Sequence, residues 1–405
     1  MKKVIFWGLL LAFVVNSAQA TDNPAQIKRL EKHVYYFAAD SLNGRKEGSL
    51  DNKKVAAYIK KQFEEIGLIT NYQFIDSDST QQNVIGVLEG NDPILKNEII
   101  VIGAHYDHLG IKMVDNVNQI YNGADDNASG TAAIIEIARQ MFLKKDQLKR
   151  TIIFIAFDAE ESGLIGSTFY INDFLLHNET DKVVLMTSID MVGYLKQSGK
   201  LKISGVKTVK NYKSLFDQVP FDSKYNLVLN DFDNSIFTGS DHGPFIAKQI
   251  PAFHTTTGLK SPYHKPEDDA DLIDYEGLST IVDYFAQLNY VFAVSDQLES
   301  SGEFGKSALA EKKNYFALIA GIGNNQHFYT NGTMTGKKGI ALNAGIYGKV
   351  SLAKFFALKG EVDYEFKKGN RKEGELYTHA VSAPITLFAK ATVQNVMEFD
   401  LGFGG

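Results

Sequence analysis

The chain of 405 residues contains no cysteine. That absence excludes disulfides, thiolate metal sites and a cysteine nucleophile together. A basic excess is missing too: 42 Lys and Arg stand against 48 Asp and Glu, for a net charge of -6. Nucleic-acid binders need a basic surface, so no nucleic acid is expected as a partner. Low-complexity segments and solenoid-type repeats are absent. The apolar run Val4–Val15 is too short to span a bilayer comfortably. Lys2 and Lys3 precede it and Ala18-Gln19-Ala20 follows, the pattern of a cleaved signal peptide over residues 1–20. With no cysteine after the run, a bacterial lipid anchor is excluded. The expectation is an exported protein, periplasmic or extracellular.

What is present begins with 44% hydrophobic residues, enough for a sizeable core. The length predicts two or three domains. Helical spacing runs through residues 24–68, broken by the loop LNGRKEGS at Leu42–Ser49, with Gly67 as a C-cap. Strands are expected within Tyr72–Glu89 and at Asn97–Gly103, Thr151–Phe157, Lys182–Ile189 and Pro251–Thr255. Helices are expected at Ser129–Phe142, Ser162–Leu175, Ser240–Lys248 and Tyr275–Val294. Alternating strands and helices predict an α/β domain over 21–300, with a mainly parallel mixed sheet flanked by helices. A linker is expected at 301–312. Beyond it, 313–405 reads as a separate all-β antiparallel segment. Its strands are expected at Ile340–Val350, Phe355–Phe366, Leu376–Ala389 and Val396–Phe403, with turns at Asn331-Gly332 and Gly369-Asn370.

In parallel sheets the site lies beyond the carboxyl ends of the strands, and five polar clusters fall there. GAHYDHLG (103–110) places His105 after a buried strand, with Asp107 two residues on as a carboxylate that can fix its tautomer. His108 in the same stretch is open to a surface reading. GADDNASG (123–130) sets Asp125 beside Asp126. One suits a helix cap and the other a ligand. In FIAFDAEESGLIGS (154–167) an apolar strand ends in Asp158 and the pair Glu160-Glu161. Adjacent carboxylates there repel each other and need a cation or a shared proton, unless they merely favour a helix N-terminus. Asp190 closes another apolar strand. SPYHKPEDD (261–269) carries His264 in a loop.

Two histidines and several carboxylates at strand ends form a donor set for zinc. Two ions a few Å apart, roughly 3.5–4 Å, need one shared carboxylate and private ligands for each. A further carboxylate would serve as general base.

With these motifs in order, the chain resembles the M28 family of zinc peptidases, bacterial aminopeptidase type, from about Leu42 to Leu288. The likeness includes SDHGPF at Ser240–Phe245 and YHKPEDD at Tyr263–Asp269. It implies a zinc-peptidase fold, two Zn2+ (or other divalent metals) and peptide substrates with a free N-terminus. His105 and Asp190 would be ligands of one metal, His264 and Glu161 of the other, and Asp126 the bridge. Glu160 would be the general base and Tyr263 would stabilise the oxyanion. Asp107 would support His105, with Asp241 also behind the ligands. A glutaminyl-cyclase-like acyltransferase shares this ligand set but carries Trp where this chain has Tyr263. A di-zinc carboxypeptidase or dipeptidase would need a basic residue facing the substrate carboxylate. A non-catalytic binding protein on the same fold is disfavoured by the intact ligands and base. The all-β tail resembles part of a small outer-membrane β-barrel, which would imply outer-membrane association; a soluble β domain is the alternative.

Overall fold

The computed structural model describes residues 23–304, save 77, 115, 179–180 and 233–238. Further on it describes the strand backbones at 314–325, 339–353, 356–371, 374–382 and 385–389. The signal-peptide, Asn331-Gly332 and Val396–Phe403 expectations, with most of the linker, lie outside the described residues. The chain divides into two units, Met1–Ser307 and Ala308–Gly405.

In the first unit the order is α1 (Pro24–Phe37), α2 (Leu50–Ile66), β1 (Ile69–Phe74), β2 (Gln82–Leu88) and β3 (Glu98–His105). A hairpin, β4 (Gly110–Val114) and β5 (Val117–Tyr121), leads to α3 (Gly130–Phe142), β6 (Thr151–Phe157), α4 (Ile165–His177) and β7 (Lys182–Ile189). Then come α5 (Leu195–Ser198), β8 (Lys200–Ser204), α6 (Tyr212–Phe216), β9 (Asn226–Asn230), α7 (His242–Ala247), β10 (Ala252–Thr256) and α8 (Tyr275–Val294).

Local chemistry sets the helix ends. Asn23 caps α1, accepting from the Gln26 N–H at 3.1 Å, with Pro24 in the first turn. Ser49 caps α2 by accepting from Asn52 N–H at 3.0 Å. Gly67 ends α2 in the left-handed region at φ 105°, as its position predicts. A Cβ on it would also strike the Phe142 ring at 2.6 Å.

The sheet order is β1-β2-β6-β3-β7-β10-β8-β9. The central pairs β6/β3, β3/β7 and β7/β10 are parallel, as is β8/β9. The antiparallel pairs are β1/β2, β2/β6 and β10/β8. Both faces are buried, so β3 is apolar from Ile99 to Ala104 and β6 from Ile152 to Phe157. Ile100, Ile102, Ala104, Ile152, Phe154 and Ala156 face the core shared with α1, α2, α3 and α8. Ile99, Val101, Ile153, Ile155 and Phe157 face a second core with Tyr170 and Phe174 of α4 and Phe245 of α7. Each buried isoleucine, valine or phenylalanine among them contributes about 1.5–3 kcal/mol. Strands β8 and β9 and the β4–β5 hairpin carry no apolar signal comparable to β3 and stand outside the elements expected from the sequence.

In the second unit, β11 (Asn314–Asn325), β12 (Gly339–Ala353), β13 (Phe356–Arg371), β14 (Gly374–Ser382) and β15 (Ile385–Ala389) form an antiparallel sheet. Gly369 and Asn370 do not turn. They continue β13 and pair with Leu376 and Glu375. Glycine there loses to the ladder that extends to Arg371. Among the described residues no helix is long and apolar enough to cross a membrane.

Candidate metal centre and active site

The loops after β3, β5, β6, β7 and β10 converge at the carboxyl ends of the parallel strands. Each is shaped by its own sequence. Gly123 adopts φ 58°, and a Cβ there would collide with the Asp126 carbonyl and the His108 ring. Ala159, Met191 and His264 also sit in the left-handed region, at φ 56°, 55° and 54°. Such backbone is costly for non-glycine residues and gathers at functional loops.

Asp126 is the point where the histidines meet. His105 Nε2 stands 3.3 Å from its Oδ1 and 3.6 Å from Asp190 Oδ1. His264 Nε2 stands 3.2 Å from Asp126 Oδ2 and 3.2 Å from Glu161 Oε2. Asp125 turns the other way. Its Oδ1 accepts from Gly193 N–H at 2.7 Å, which ties the loop after β7 to the start of α3. Asp268 accepts from the N–H groups of both Asp125 and Asp126.

Asp107 stands beside His105, as expected, and also holds the next loop. Its carboxylate is 3.7 Å from His105 Nδ1, which also lies 3.3 Å from the Asp107 carbonyl. The two carboxylate oxygens accept the N–H groups of Glu160 and Glu161, at 3.1 and 3.2 Å. Asp107 therefore positions the acidic pair. Asp158 builds the same loop, accepting from Asn52 Nδ2, Gln82 N–H and Ala159 N–H.

The sequence left His108 open, and the structure places it inside. It is fully buried, with Nδ1 2.8 Å from Glu161 Oε1 and 4.0 Å from Asp126 Oδ2. Its ring meets that of His264 edge-on. The available signal was the HYDH spacing itself, which offers a second imidazole three residues after His105. His242 and His254 were also missed. His242 stacks between Phe232 and His254, and His254 Nε2 is 3.7 Å from Asp190 Oδ2. Tyr263 is 41% exposed at the cleft mouth and stacks on His264. Asp241 is fully buried at the head of α7. A cavity of 350 Å³ opens over the cluster and is lined by His105, Asp126, Glu160, Glu161, Asp190 and His264 among others.

The electrostatics favour added positive charge. Burial raises Asp126, Glu161 and Asp190, yet their histidine partners hold all three below the usual carboxylate range. Asp126 and Glu161 push the His264 imidazole up to about 10. Burial lowers His105, but Glu160 and the surrounding aspartates raise it well above its ordinary value. Glu160, which forms no ion pair among the described residues, is pushed up to about 9 by burial and by Asp241 and Asp190, against the pull of His105. Burial lifts Asp241 to about 7 and Tyr263 upward, so the phenol keeps its proton at neutral pH.

A divalent ion fits these residues. Two overlapping groups, His105/Asp126/Asp190 and His108/Asp126/Glu161, each bring their donor atoms within 4.8 Å of one another. Among the described residues His108 Nε2 and Asp190 Oδ1 lack a hydrogen-bond partner. Unsatisfied buried donors and acceptors of this type are costly unless an ion takes them up.

Such a cluster, set at the strand ends of a sheet with helices on both faces, belongs to the metallopeptidase class of hydrolases. The model of Peptidase family M28 matches residues 83–289, just over half of the sequence, and the chain belongs to that family. It is 31% identical over 214 residues to aminopeptidase YwaD of Bacillus subtilis, covering 50% of this chain and 42% of that protein. Over 331 residues it is 26% identical to the uncharacterized protein YfbL of Escherichia coli, covering 72% and 99%. Leucine aminopeptidase 2 of Trichophyton rubrum matches at 27% over 262 residues, covering 62% and 49%. The chain thus spans under half the length of the two aminopeptidases and nearly all of the Escherichia coli protein. Its fold resembles LapB of Legionella pneumophila (TM-score 0.55, 22% identity, 69% of this chain and 76% of that one). The zinc aminopeptidase BSAP of Bacillus subtilis gives 0.53 at 18%, covering 67% and 95%. A glutaminyl cyclase of Bacteroides thetaiotaomicron gives 0.51 at 17%, covering 67% and 98%. At these identities the likeness is one of fold.

Proposed function

We propose that the protein is an exported aminopeptidase that works with two zinc ions. The observation that carries this reading is the pair of donor groups meeting at Asp126. His105 and Asp190 complete one group. Glu161 and His108 complete the other, and His264 Nε2, 3.2 Å from both Asp126 Oδ2 and Glu161 Oε2, is the imidazole we assign to the second ion, with His108 behind Glu161. Imidazole and carboxylate suit zinc, and cobalt or manganese also accept such donors. Bound ions would supply Lewis-acid polarisation and a more acidic water.

The chain's own residues do the rest. Glu160, held by Asp107 through its N–H, carries a raised pKa that the charge of bound ions would draw back down, and as a carboxylate it takes the proton from the attacking water and returns it to the leaving amine. Tyr263, protonated at neutral pH, donates its hydroxyl to the oxyanion. The acidic cluster receives the ammonium of a free substrate N-terminus, which favours exopeptidase cleavage. Asp241 stays behind the cluster as a supporting acid.

A second reading has one observation in its favour. Asp241 is a buried acid lifted to about 7, suited to proton transfer in a glutaminyl-cyclase-like acyl transfer. The experiment that separates the two uses the full chain loaded with zinc. Aminoacyl-anilides, N-terminal glutaminyl peptides, a chelator control and Glu160→Gln are run together. Chelator-sensitive anilide release that falls at least about 1,000-fold in Glu160→Gln supports the aminopeptidase. Cyclisation without release moves the protein to the second reading.

Residues 1–20 serve in this proposal as the export signal, and 313–405 as a barrel-like tail associating with the outer membrane. The 12, 15, 16 and 9 residues of β11 to β14 support that, since about 9–11 residues span a bilayer as a tilted strand.

A further inference from the structure

The cleft extends sideways from the donor cluster across β10 to β8, and its far wall carries Lys202. Strand β8 lies inside the sheet between β10 and β9. Leu201 and Ile203 point into the helix-side core, so alternation turns Lys202 and Ser204 to the cleft face. An inward position on an interior strand rarely holds lysine without a partner. Yet Lys202 is half-buried and forms no ion pair or hydrogen bond through its ammonium among the described residues. The neighbouring cleft acid, Asp231, is already paired with Lys207 at 2.5 Å.

Sheet register gives the spacing. Ile189 pairs with Thr255, so Asp190 is level with Thr256, and Thr256 pairs with Lys202. Asp190 and Lys202 are thus two strand spacings apart, roughly 10 Å. The two backbones flank β10, so a substrate group lying over Thr256 meets the donor cluster at one end and the Lys202 side chain at the other. Met191, Phe232 and Leu259 line the cleft as apolar walls, where an ammonium–carboxylate pair is stronger than in water.

We infer that Lys202 selects substrates bearing a carboxylate at this distance from the scissile bond. The inference rests on the peptidase reading of the cluster. A carboxylate there has two sources: the side chain of an N-terminal Asp or Glu, or the C-terminus of a very short peptide. Either way it gives the Lys202 ammonium a partner of opposite charge, which none of the described residues supplies.

The test uses the full chain with zinc. Release from glutamyl- and leucyl-anilides is compared in wild type, Lys202→Met and Lys202→Arg, each checked by thermal melting for folding. In parallel, binding of free L-glutamate and L-leucine is measured by calorimetry, which needs no turnover. The expected result is a kcat/KM ratio favouring glutamyl over leucyl by at least about 10-fold. It falls by about 10-fold or more in Lys202→Met and recovers in Lys202→Arg, and glutamate binding weakens in the same order. If only dipeptides with a free C-terminus are cleaved, and amidation abolishes this in wild type but matters little in Lys202→Met, the carboxylate is the C-terminal one and the inference stands. A ratio unchanged in Lys202→Met overturns it. Should no peptide be cleaved, the peptidase reading fails, and glutamate binding decides the role of Lys202: equal affinity in wild type and Lys202→Met sinks it.

Discussion

Arg45 carries its guanidinium to a place that solvent does not reach. It donates to the carbonyls of Phe37, Tyr106, Asn122, Gly123 and Asp126, and so joins the loop after α1 to both loops that hold His105 and Asp126. Burial lowers it to about 10 and nearby acids support it, so it is charged at neutral pH. Removing it strands five acceptors. Arg45→Met is expected to cost roughly 3–5 kcal/mol, read as a shift in denaturation midpoint. Lysine should not rescue it, because an ammonium lacks the planar fork that reaches several acceptors. Within the cluster, His264→Ala should lower zinc stoichiometry from two to one. His108→Ala should keep two at saturation but weaken one by about 10–100-fold, the cost of losing a group that orients a ligand. Metal analysis against free zinc concentration separates these outcomes. If His108→Ala also drops to one ion, His108 is a direct ligand. His105, Glu161 and Asp190 stood out in the sequence because each follows an apolar strand, whereas the choice of Asp126 over Asp125 and the role of His264 came only from the resemblance to the M28 family. The sequence hid His108, whose burial depends on the 261–269 loop bringing His264 against its ring and on the close approach of Gly123.

At the scale of the element, α1 and α3 are joined by a buried charge. Glu136 of α3 accepts from Arg29 at 2.7 Å and from Arg139 at 3.1 Å, and His33 Nε2 lies 3.6 Å away. His33 is lowered by burial, and its Nδ1 is 2.8 Å from the Tyr58 hydroxyl. Burial raises Glu136, but His33 and the two arginines outweigh it and hold the carboxyl down to about 2. An unfolded glutamate titrates near about 4.3. The folded value lies below the unfolded one, so the stabilisation is complete above about pH 5 and is lost as pH falls toward 2. Glu136→Gln should therefore lower stability by roughly 3 kcal/mol at pH 7 and flatten its decline in acid. Denaturant midpoints across pH 3–7 check this; parallel curves for both proteins would contradict it. The strongly periodic elements, such as β6 and α8, were legible to the residue. Strands β8 and β9 were not, because KLKIS and NLVLN are short and place Lys202 and Asn230 where a buried strand would be apolar.

For the whole molecule, the central question is what balances the buried acids. The cluster gathers Asp126, Glu160, Glu161, Asp190 and Asp241 around histidines that must be protonated to offset them. Each proton on an imidazole is a poor substitute for a divalent ion, since it serves one or two oxygens at most. Folding and ion binding are then linked. An ion that binds only the folded chain stabilises it by about 2.7 kcal/mol at 100 times its Kd. For a unit of this size each kcal/mol moves Tm by about 2–4 °C. Zinc should raise Tm by at least about 5 °C, and a chelator should reverse the gain. The same titration on Asp126→Asn should show less than half of that shift, because one carboxylate serves both donor groups. An equal shift in Asp126→Asn would mean that the ions bind elsewhere, and would remove the basis for reading this cluster as a two-ion centre.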